Sequence, residues 1–286
     1  MNFQLSSAET FVPDGLPAKE ALARTTHLAV SAHHDDLEIM AAGPILACFQ
    51  QDHQWFTGVV LTDGGGSPRD DLYKDYSDEA MHQVRFKEQR KAAVVGEYGA
   101  LVMLNYPSTA IKDALNQSPT QDLVQLLQIA HPQYVYTHNL ADKHDTHIAT
   151  ALKVIAAIRS LPESERPQQL FGCEVWRDLD WMVDQDKVTF DLSSHENLQA
   201  ALLGVFDSQI CGGKRYDLAT MGRRRANATY FDPYEVNLSS GLAYAMDLTP
   251  LIHAPEIDIN SFVQERIQHF AQDVADRLTR LGYRGS

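Results

Sequence analysis

Basic residues are scarce in this chain: 24 Lys and Arg stand against 38 Asp and Glu, a formal charge of −14. That balance argues against a protein that tracks a phosphate backbone, because such affinity comes mostly from clustered Lys and Arg. No nucleic-acid partner is expected. The one dense basic run, "GRRRA" at 222–226, reads as a solvated helix face. Cysteine is rarer still. Cys48, Cys173 and Cys211 are odd in number, far apart and never paired as CxxC, which speaks against a disulfide framework and a cysteine zinc site. Long apolar runs are missing too. No stretch approaches the roughly 20 residues of a membrane span, and "MNFQLSSAETFVPDG" lacks the basic start and apolar core of a signal peptide. A cytoplasmic, reducing setting is the expectation.

What is present suits a globular protein. The chain has 286 residues, 44% hydrophobic and 22% charged, and can bury one large core. Strands read at "THLAVSA" (26–32), "WFTGVVLTD" (55–63), "ALVMLNY" (100–106) and "QYVYTHN" (133–139). Helices read at "GPILACFQQ" (43–51), 78–97, "TQDLVQLLQIA" (120–130) and "DTHIATALKVIAAIRSL" (145–161). Strand alternating with helix four times predicts a Rossmann-like α/β fold, a mostly parallel sheet with helices on both faces and right-handed crossovers. Residues 1–24 read as an N-terminal arm. From 162 onward, "LFGCEVW" and "KVTFDLS" read as strands, "NLQAALLGVFDSQ" as one helix, and "INSFVQERIQHFAQDVADRLTRL" as an amphipathic helix. The expectation is a single domain over 1–286, its extension 162–286 completing the sheet and walling the site. Assembly into a homo-oligomer is compatible with this reading.

In open parallel sheets, ligands bind beyond the carboxyl ends of the strands. Three polar clusters fall at such ends: "AHHDDLE" (32–38), "TDGGGSPRD" (62–70) and "THNLADKHDTH" (137–147). His and Asp are N and O donors that zinc accepts, and three protein ligands with an open position mark a catalytic site. His33 and Asp36 share one tight loop. His144 and His147, spaced i, i+3 at a helix start, can both face the crevice. This spacing points to a metal and does not choose the reaction.

"AHHDDLE" resembles the AHPDDxE motif of the PIG-L/LmbE-like zinc-dependent N-deacetylases, "HDTH" that family's HPDH, and "TDGGGS" its TDG loop. The similarity continues through "RFKEQRKAA" and "FDSQ" (206–209), so it covers most of the chain. Position by position, the resemblance implies that His33, Asp36 and His147 hold Zn2+, that Asp35 is the general base, and that His144 is a charged donor beside the reacting carbonyl. Three departures stand out: His34 where the family has proline, Gly65 where it often has glutamate, and Asp145–Thr146 for Pro–Asp. None removes an implied ligand or the base. His34 adds an unassigned imidazole at the rim.

Elementary chemistry fits this family reading. An amide resists water because water is a poor nucleophile and the tetrahedral oxyanion is high in energy. Zinc brings the pKa of bound water to roughly 7 and polarises the carbonyl. Asp35, beside a ligand in sequence, is suited to take the proton and pass it to the leaving amine. One oxyanion donor such as His144 is worth about 2.7–4 kcal/mol. Asp142 is a candidate to orient an imidazole, with a helix N-terminal acid as the alternative. Arg69 is a candidate to grip sugar hydroxyls or a phosphate. Arg85 and Glu88, i, i+3 on the long helix, read as a surface ion pair, while the resemblance suggests they buttress the TDG loop. Trp55, Trp176 and Trp181 read as core or wall residues.

The expected activity is hydrolysis of the acetamide of an N-acetylated amino sugar, such as an N-acetylglucosamine derivative, or a glycoconjugate. The alternatives are a zinc hydrolase of another amide or ester, and a sugar-binding relative without turnover. A nucleotide site at "TDGGGS" is poorer, since the GxGxxG spacing and a phosphate-binding lysine are both missing.

Overall fold

The computed structural model describes residues 2–283. Its strands are β1 (Glu9–Phe11), β2 (His27–Ser31), β3 (Phe56–Thr62), β4 (Ala100–Tyr106), β5 (Tyr134–His138), β6 (Gln169–Cys173), β7 (Lys187–Asp191) and β8 (Leu242–Asp247). The helices of the first half are α1 (Ala18–Ala23), α2 (Asp36–Met40), α3 (Ala42–Cys48), α4 (Asp78–Val95), α5 (Ser108–Lys112), α6 (Ser118–Ala130) and α7 (Asp145–Ser160). The second half adds α8 (Glu196–Gly204), α9 (Asp207–Ile210), α10 (Tyr216–Tyr230), α11 (Thr249–His253) and α12 (Ile259–Arg280).

The strands form one eight-stranded sheet in the order β1-β4-β3-β2-β5-β6-β8-β7. β2 to β6 run parallel; β1 and β8 are antiparallel to their neighbours. Every residue of β2, β3 and β4 is buried. This is the pattern of parallel strands covered on both sides, and it explains why they read as continuous apolar runs. Successive side chains serve opposite faces. Leu28, Val30, Val59 and Leu61 pack under α1, α6 and α7 in one core cluster. Ala29, Val60, Leu101 and Met103 pack with residues of α2, α3, α4 and α8 in another. Full burial of each such Val or Leu contributes about 1.5–3 kcal/mol.

Several details depart from expectation. The arm contributes a strand, β1, to the sheet edge. β8 enters between β6 and β7 from far along the chain. "NLQAALLGVFDSQ" is two helices, because the chain turns at Val205–Phe206 between α8 and α9. Within "GRRRA", Arg224 is buried. Its guanidinium donates to the carbonyls of Glu38 and Ile39 at 2.8 and 3.2 Å and to Gln199 Oε1 at 3.0 Å, so it ties α10 to α2 and α8. The solvated-face reading fails there because three acceptors meet the charge internally. Among the described residues, no helix is long and apolar enough to cross a membrane.

The chain runs β2, β3, β4 outward in one direction, then returns to place β5 on the other side of β2. The crevice beyond the carboxyl ends of β2 and β5 is therefore the switch point of the sheet.

Candidate metal centre and catalytic cleft

The loop after β2 is shaped by its own polar groups. Asp36 reaches back so that Oδ2 accepts the His33 backbone N–H at 2.8 Å. Asp35 takes a left-handed backbone, φ +85°, at a cost of about 1–2 kcal/mol. Its N–H donates to Gln89 Oε1 at 3.2 Å, and Arg85 Nη2 donates to the His34 carbonyl at 2.8 Å, so α4 holds the turn from outside.

Across the switch point, α7 delivers His147 to the same place. His33 Nδ1 lies 3.2 Å from Asp36 Oδ2 and 3.1 Å from His147 Nε2, and His147 Nε2 lies 3.3 Å from Asp36 Oδ2. A tetrahedral ion with bonds of about 2.0–2.1 Å has ligand-to-ligand edges of roughly 3.3 Å. The triangle of donor atoms has those edges, so His33, Asp36 and His147 fit a divalent ion. Burial works against charge on Asp36, but His147, with His33 and His138, outweighs it and holds the carboxyl well below its usual range. Burial likewise opposes charge on His147, yet Asp36 and Asp142 raise its pKa to about 9.

Asp142 is fully buried, with Oδ2 3.5 Å from His147 Nδ1, and accepts the backbone N–H groups of His144 and Trp176 at 3.0 and 3.1 Å. Its carboxylate therefore faces the implied ligand His147, the geometry in which a carboxylate orients a metal-binding imidazole. The structure does not favour the charged His144 that the resemblance implies. His144 caps α7, its Nδ1 accepting the Thr146 N–H at 3.3 Å, and that bond requires a lone pair on Nδ1. Burial first, then His33 and His147, lower the His144 pKa. The neutral tautomer, with a hydrogen on Nε2, is the form this arrangement favours.

Asp35 lines the same cleft, its Oδ2 buried without a hydrogen-bond partner and 3.6 Å from Arg85 Nη2. Burial and the neighbouring Asp36 raise its pKa to about 7, with Arg85 pulling the other way. A carboxyl poised there can both accept and release a proton near neutrality.

His138, the last residue of β5, also belongs to the cluster and is absent from the sequence-derived set. Its ring stacks on His147 with centroids 3.8 Å apart, and Nε2 lies 3.5 Å from Asp36 Oδ2. Because Nε2 already accepts the Ala32 N–H at 2.9 Å, His138 supports the ligands from beneath. Its place at a strand end in "YVYTHN" is the one sequence signal that could have flagged it.

Other candidates sit elsewhere. His34 is not at the rim: it is fully buried beside Gly64, and burial, then Arg85, drive its pKa well below the usual histidine value. Arg69 is bound within its own loop, to the Gly65 carbonyl at 2.5 Å, the Tyr76 carbonyl at 3.0 Å and the Asp78 carboxylate, and does not join the cleft. Arg85 and Glu88 are buried, so the surface-pair reading fails. Glu88 takes the Ser208 N–H at 2.7 Å and its hydroxyl at 2.6 Å, which fastens α9 to α4. Of the tryptophans, Trp176 lines the cleft, which measures about 410 Å³. Lys112, Lys214 and Tyr216 also line it and carry no motif in the sequence, whereas Gln209, beside them, ends the "FDSQ" segment.

Residues 28–158 match the family model described as PIG-L, GlcNAc-PI de-N-acetylase. Over that segment, a little under half of the chain, the sequence is similar to the PIG-L deacetylases. A relative described as the uncharacterized deacetylase YaiS of Escherichia coli strain K12 is 29% identical over 140 residues, 48% of this chain and 69% of its own. Among solved structures, a conserved protein of Thermus thermophilus superposes with a TM-score of 0.60 at 19% identity, covering 82% of this chain and 99% of that one. The N,N'-diacetylchitobiose deacetylase of Pyrococcus horikoshii gives 0.55 at 16%, covering 77% and 83%. GalB of Pseudomonas putida, a 4-carboxy-2-hydroxymuconate hydratase, gives 0.58 at 14%, covering 78% and 96%. These likenesses establish the fold. That a hydratase shares it means the activity has to be argued from the site.

Proposed function

We propose that the chain is a zinc-dependent N-deacetylase that hydrolyses the acetamide of an N-acetylated amino sugar or glycoconjugate, releasing acetate and the free amine. The observation that carries this reading is the donor triangle of His33, Asp36 and His147 with the unpartnered Asp35 Oδ2 in the same cleft. Zinc held by those three residues would supply Lewis acidity toward the carbonyl and a water acidified to roughly neutral pKa. Asp35 takes the proton of the attacking water and delivers it to the departing nitrogen, so one carboxyl serves as base and then acid. His144 offers its Nε2–H to the developing oxyanion, and Asp142 and His138 fix the imidazole of His147. The deacetylase description of the family and of the bacterial relative supports deacetylation over hydration.

Acetate release from a panel of N-acetyl sugars by zinc-loaded protein tests the reading. Asp35→Asn should keep about one zinc per chain while kcat falls on the order of 10²–10⁴-fold. His147→Ala should lose its zinc to a mild chelator. Stoichiometric zinc and sugar binding with no acetate from any member would leave a sugar-binding protein without turnover.

A further inference from the structure

α12 runs for 22 residues, yet among its described residues only Phe262 is buried. Its start is well anchored. Asp258 caps it by accepting the Ser261 N–H at 2.8 Å, Arg159 Nη2 donates to the Ile257 carbonyl at 3.0 Å, and His269 Nδ1 lies 2.7 Å from Asp186 Oδ2. Beyond these ties the helix keeps an apolar stripe facing solvent. Ile267, Phe270, Val274 and Leu278 are 40% to 49% exposed, and Leu281 is 74% exposed. Phe270 also lines a surface groove with Tyr230 and Phe231, so apolar surface continues beside the helix. Single exposed apolar residues need no explanation, but five on one helix face mark a contact surface.

The five fall at intervals of three, four, four and three residues, a spacing that is identical from either end. At 3.6 residues per turn they lie within about 80° of one another around the axis, centred on Val274. Two such helices laid antiparallel about a two-fold axis at Val274 therefore present matching faces. Phe270 of one copy meets Leu278 of the other, and Ile267 meets Leu281. One flank carries Ala271 and Ala275, small enough for close approach. The other carries Asp273 and Arg277, 2.7 Å apart within the helix. The two-fold sets Arg277 of each copy about 3 Å along the axis from Asp273 of the other, so opposite charges face across the pair.

Charge selects the same partner. α12 holds Glu265, Asp273 and Asp276 against Arg266, Arg277 and Arg280, a balance of zero in a chain of −14. Two copies meeting here escape the repulsion that the acidic remainder of the surface would bring. A lipid surface is disfavoured by the same count, since helices that lie on membranes carry excess Lys and Arg on the polar face. We propose that α12 is the interface of a homodimer, paired antiparallel with the α12 of a second copy about Val274. The contact is isologous and closes at two copies. Its strip, about 21 Å long from Ile267 to Leu281, belongs with the small interfaces below about 1,200 Å², so the dimer is weak.

Sedimentation equilibrium of the full chain should show monomer and dimer exchanging with a Kd on the order of 10 μM. Val274→Glu sets two carboxylates against each other on the axis and should raise that Kd at least about thirtyfold. Thr279→Glu adds the same charge on the far side of the helix and should change it less than about threefold. Circular dichroism checks that each variant keeps its helix content. Under mild oxidation Val274→Cys should link two copies, whereas Ile267→Cys should not, because its counterpart lies about 21 Å away. If Val274→Glu fails to fold, the two cysteine variants decide. A wild-type chain that stays monomeric, a dimer insensitive to Val274→Glu, or linkage through Ile267→Cys in place of Val274→Cys overturns the pairing. A monomer that instead sediments with phosphatidylcholine vesicles, and no longer does so as Val274→Glu, assigns the stripe to lipid and overturns it as well.

Discussion

Replacing Arg85 with methionine separates two accounts of the same helix pair. On a solvated face, an i, i+3 ion pair is worth about 0.2–0.5 kcal/mol. In the structure, the Arg85 side chain is only 2% exposed. It donates to the His34 carbonyl at 2.8 Å and to Ser208 Oγ at 3.3 Å, and stands 3.6 Å from Asp35 and 3.8 Å from Glu88. Methionine fills similar space and leaves both carboxylates buried without their cation, a change that costs about 3–5 kcal/mol when one partner of a buried pair is removed. That is a large share of a total stability of about 5–15 kcal/mol. Urea unfolding followed by circular dichroism should show the loss directly, together with a fall in Tm of roughly 6–15 °C. Arg85→Met combined with Glu88→Gln should recover part of it, since one orphaned charge is gone. A single-mutant cost below about 0.5 kcal/mol, the solvated-pair value, would refute the reasoning.

Three further outcomes follow from particular contacts. Asp142→Ala removes the carboxylate facing His147 Nδ1 and should lower zinc affinity about 10–100-fold in competition with a chromogenic chelator; unchanged affinity would make Asp142 a loop anchor only. Gly64→Ala places a Cβ 2.8 Å from buried His34 Nδ1 at φ +72° and should cost about 2–4 kcal/mol in denaturant unfolding, whereas a cost under about 1 kcal/mol would mean that the loop yields freely. Burial raises the pKa of Glu174, against the pull of Arg223 and of hydrogen bonds from Asn227, Tyr244 and Leu179. The folded state therefore binds this proton more tightly than the unfolded one, and the stability it contributes is present at low pH and lost as the pH rises through the folded value. Glu174→Gln should flatten the decline of stability as the pH rises above the ordinary carboxylate range; identical slopes would exclude Glu174 as its source.

The parallel strands and both His/Asp clusters are legible in the sequence because their signals are local: a buried run, then donors within a few residues. His138 is not legible in that way. A lone histidine ending a strand acquires its role only because β5 lies beside β2 in a register that pairs Ala29 with Tyr136. Arg85, Glu88 and Arg224 mislead for a related reason. Their helices look polar enough to face water, and only the packing of α8 and α9 against α4 and of α10 against α2 encloses them. β8, "LAYAMD", is rich in alanine and lacks β-branched residues, and its place between β6 and β7 depends on partners far away in sequence. Lys112 and Lys214 of the cleft wall have no motif at all, since a lone surface charge gains meaning only from what stands across the gap.

The short strand β1 has a consequence for how molecules of this protein meet one another. β4, seven residues long and buried throughout, would otherwise be the outermost strand on that side, an apolar edge with a free row of backbone donors and acceptors. Such an edge is a template for intermolecular pairing. β1 lays Glu9 to Phe11 along it, and further ties hold the arm in place: the Gln4 N–H to Asp122 at 3.1 Å, the Asn105 amide to the Ser7 carbonyl, and Arg90 to Glu9. The opposite edge, β7, is guarded by composition instead, with Thr189 and Asp191 exposed on a strand that is only partly buried. One flank is shielded by a tethered segment and the other by charge, so removing the arm would turn a stable fold into one prone to coalesce with its own copies.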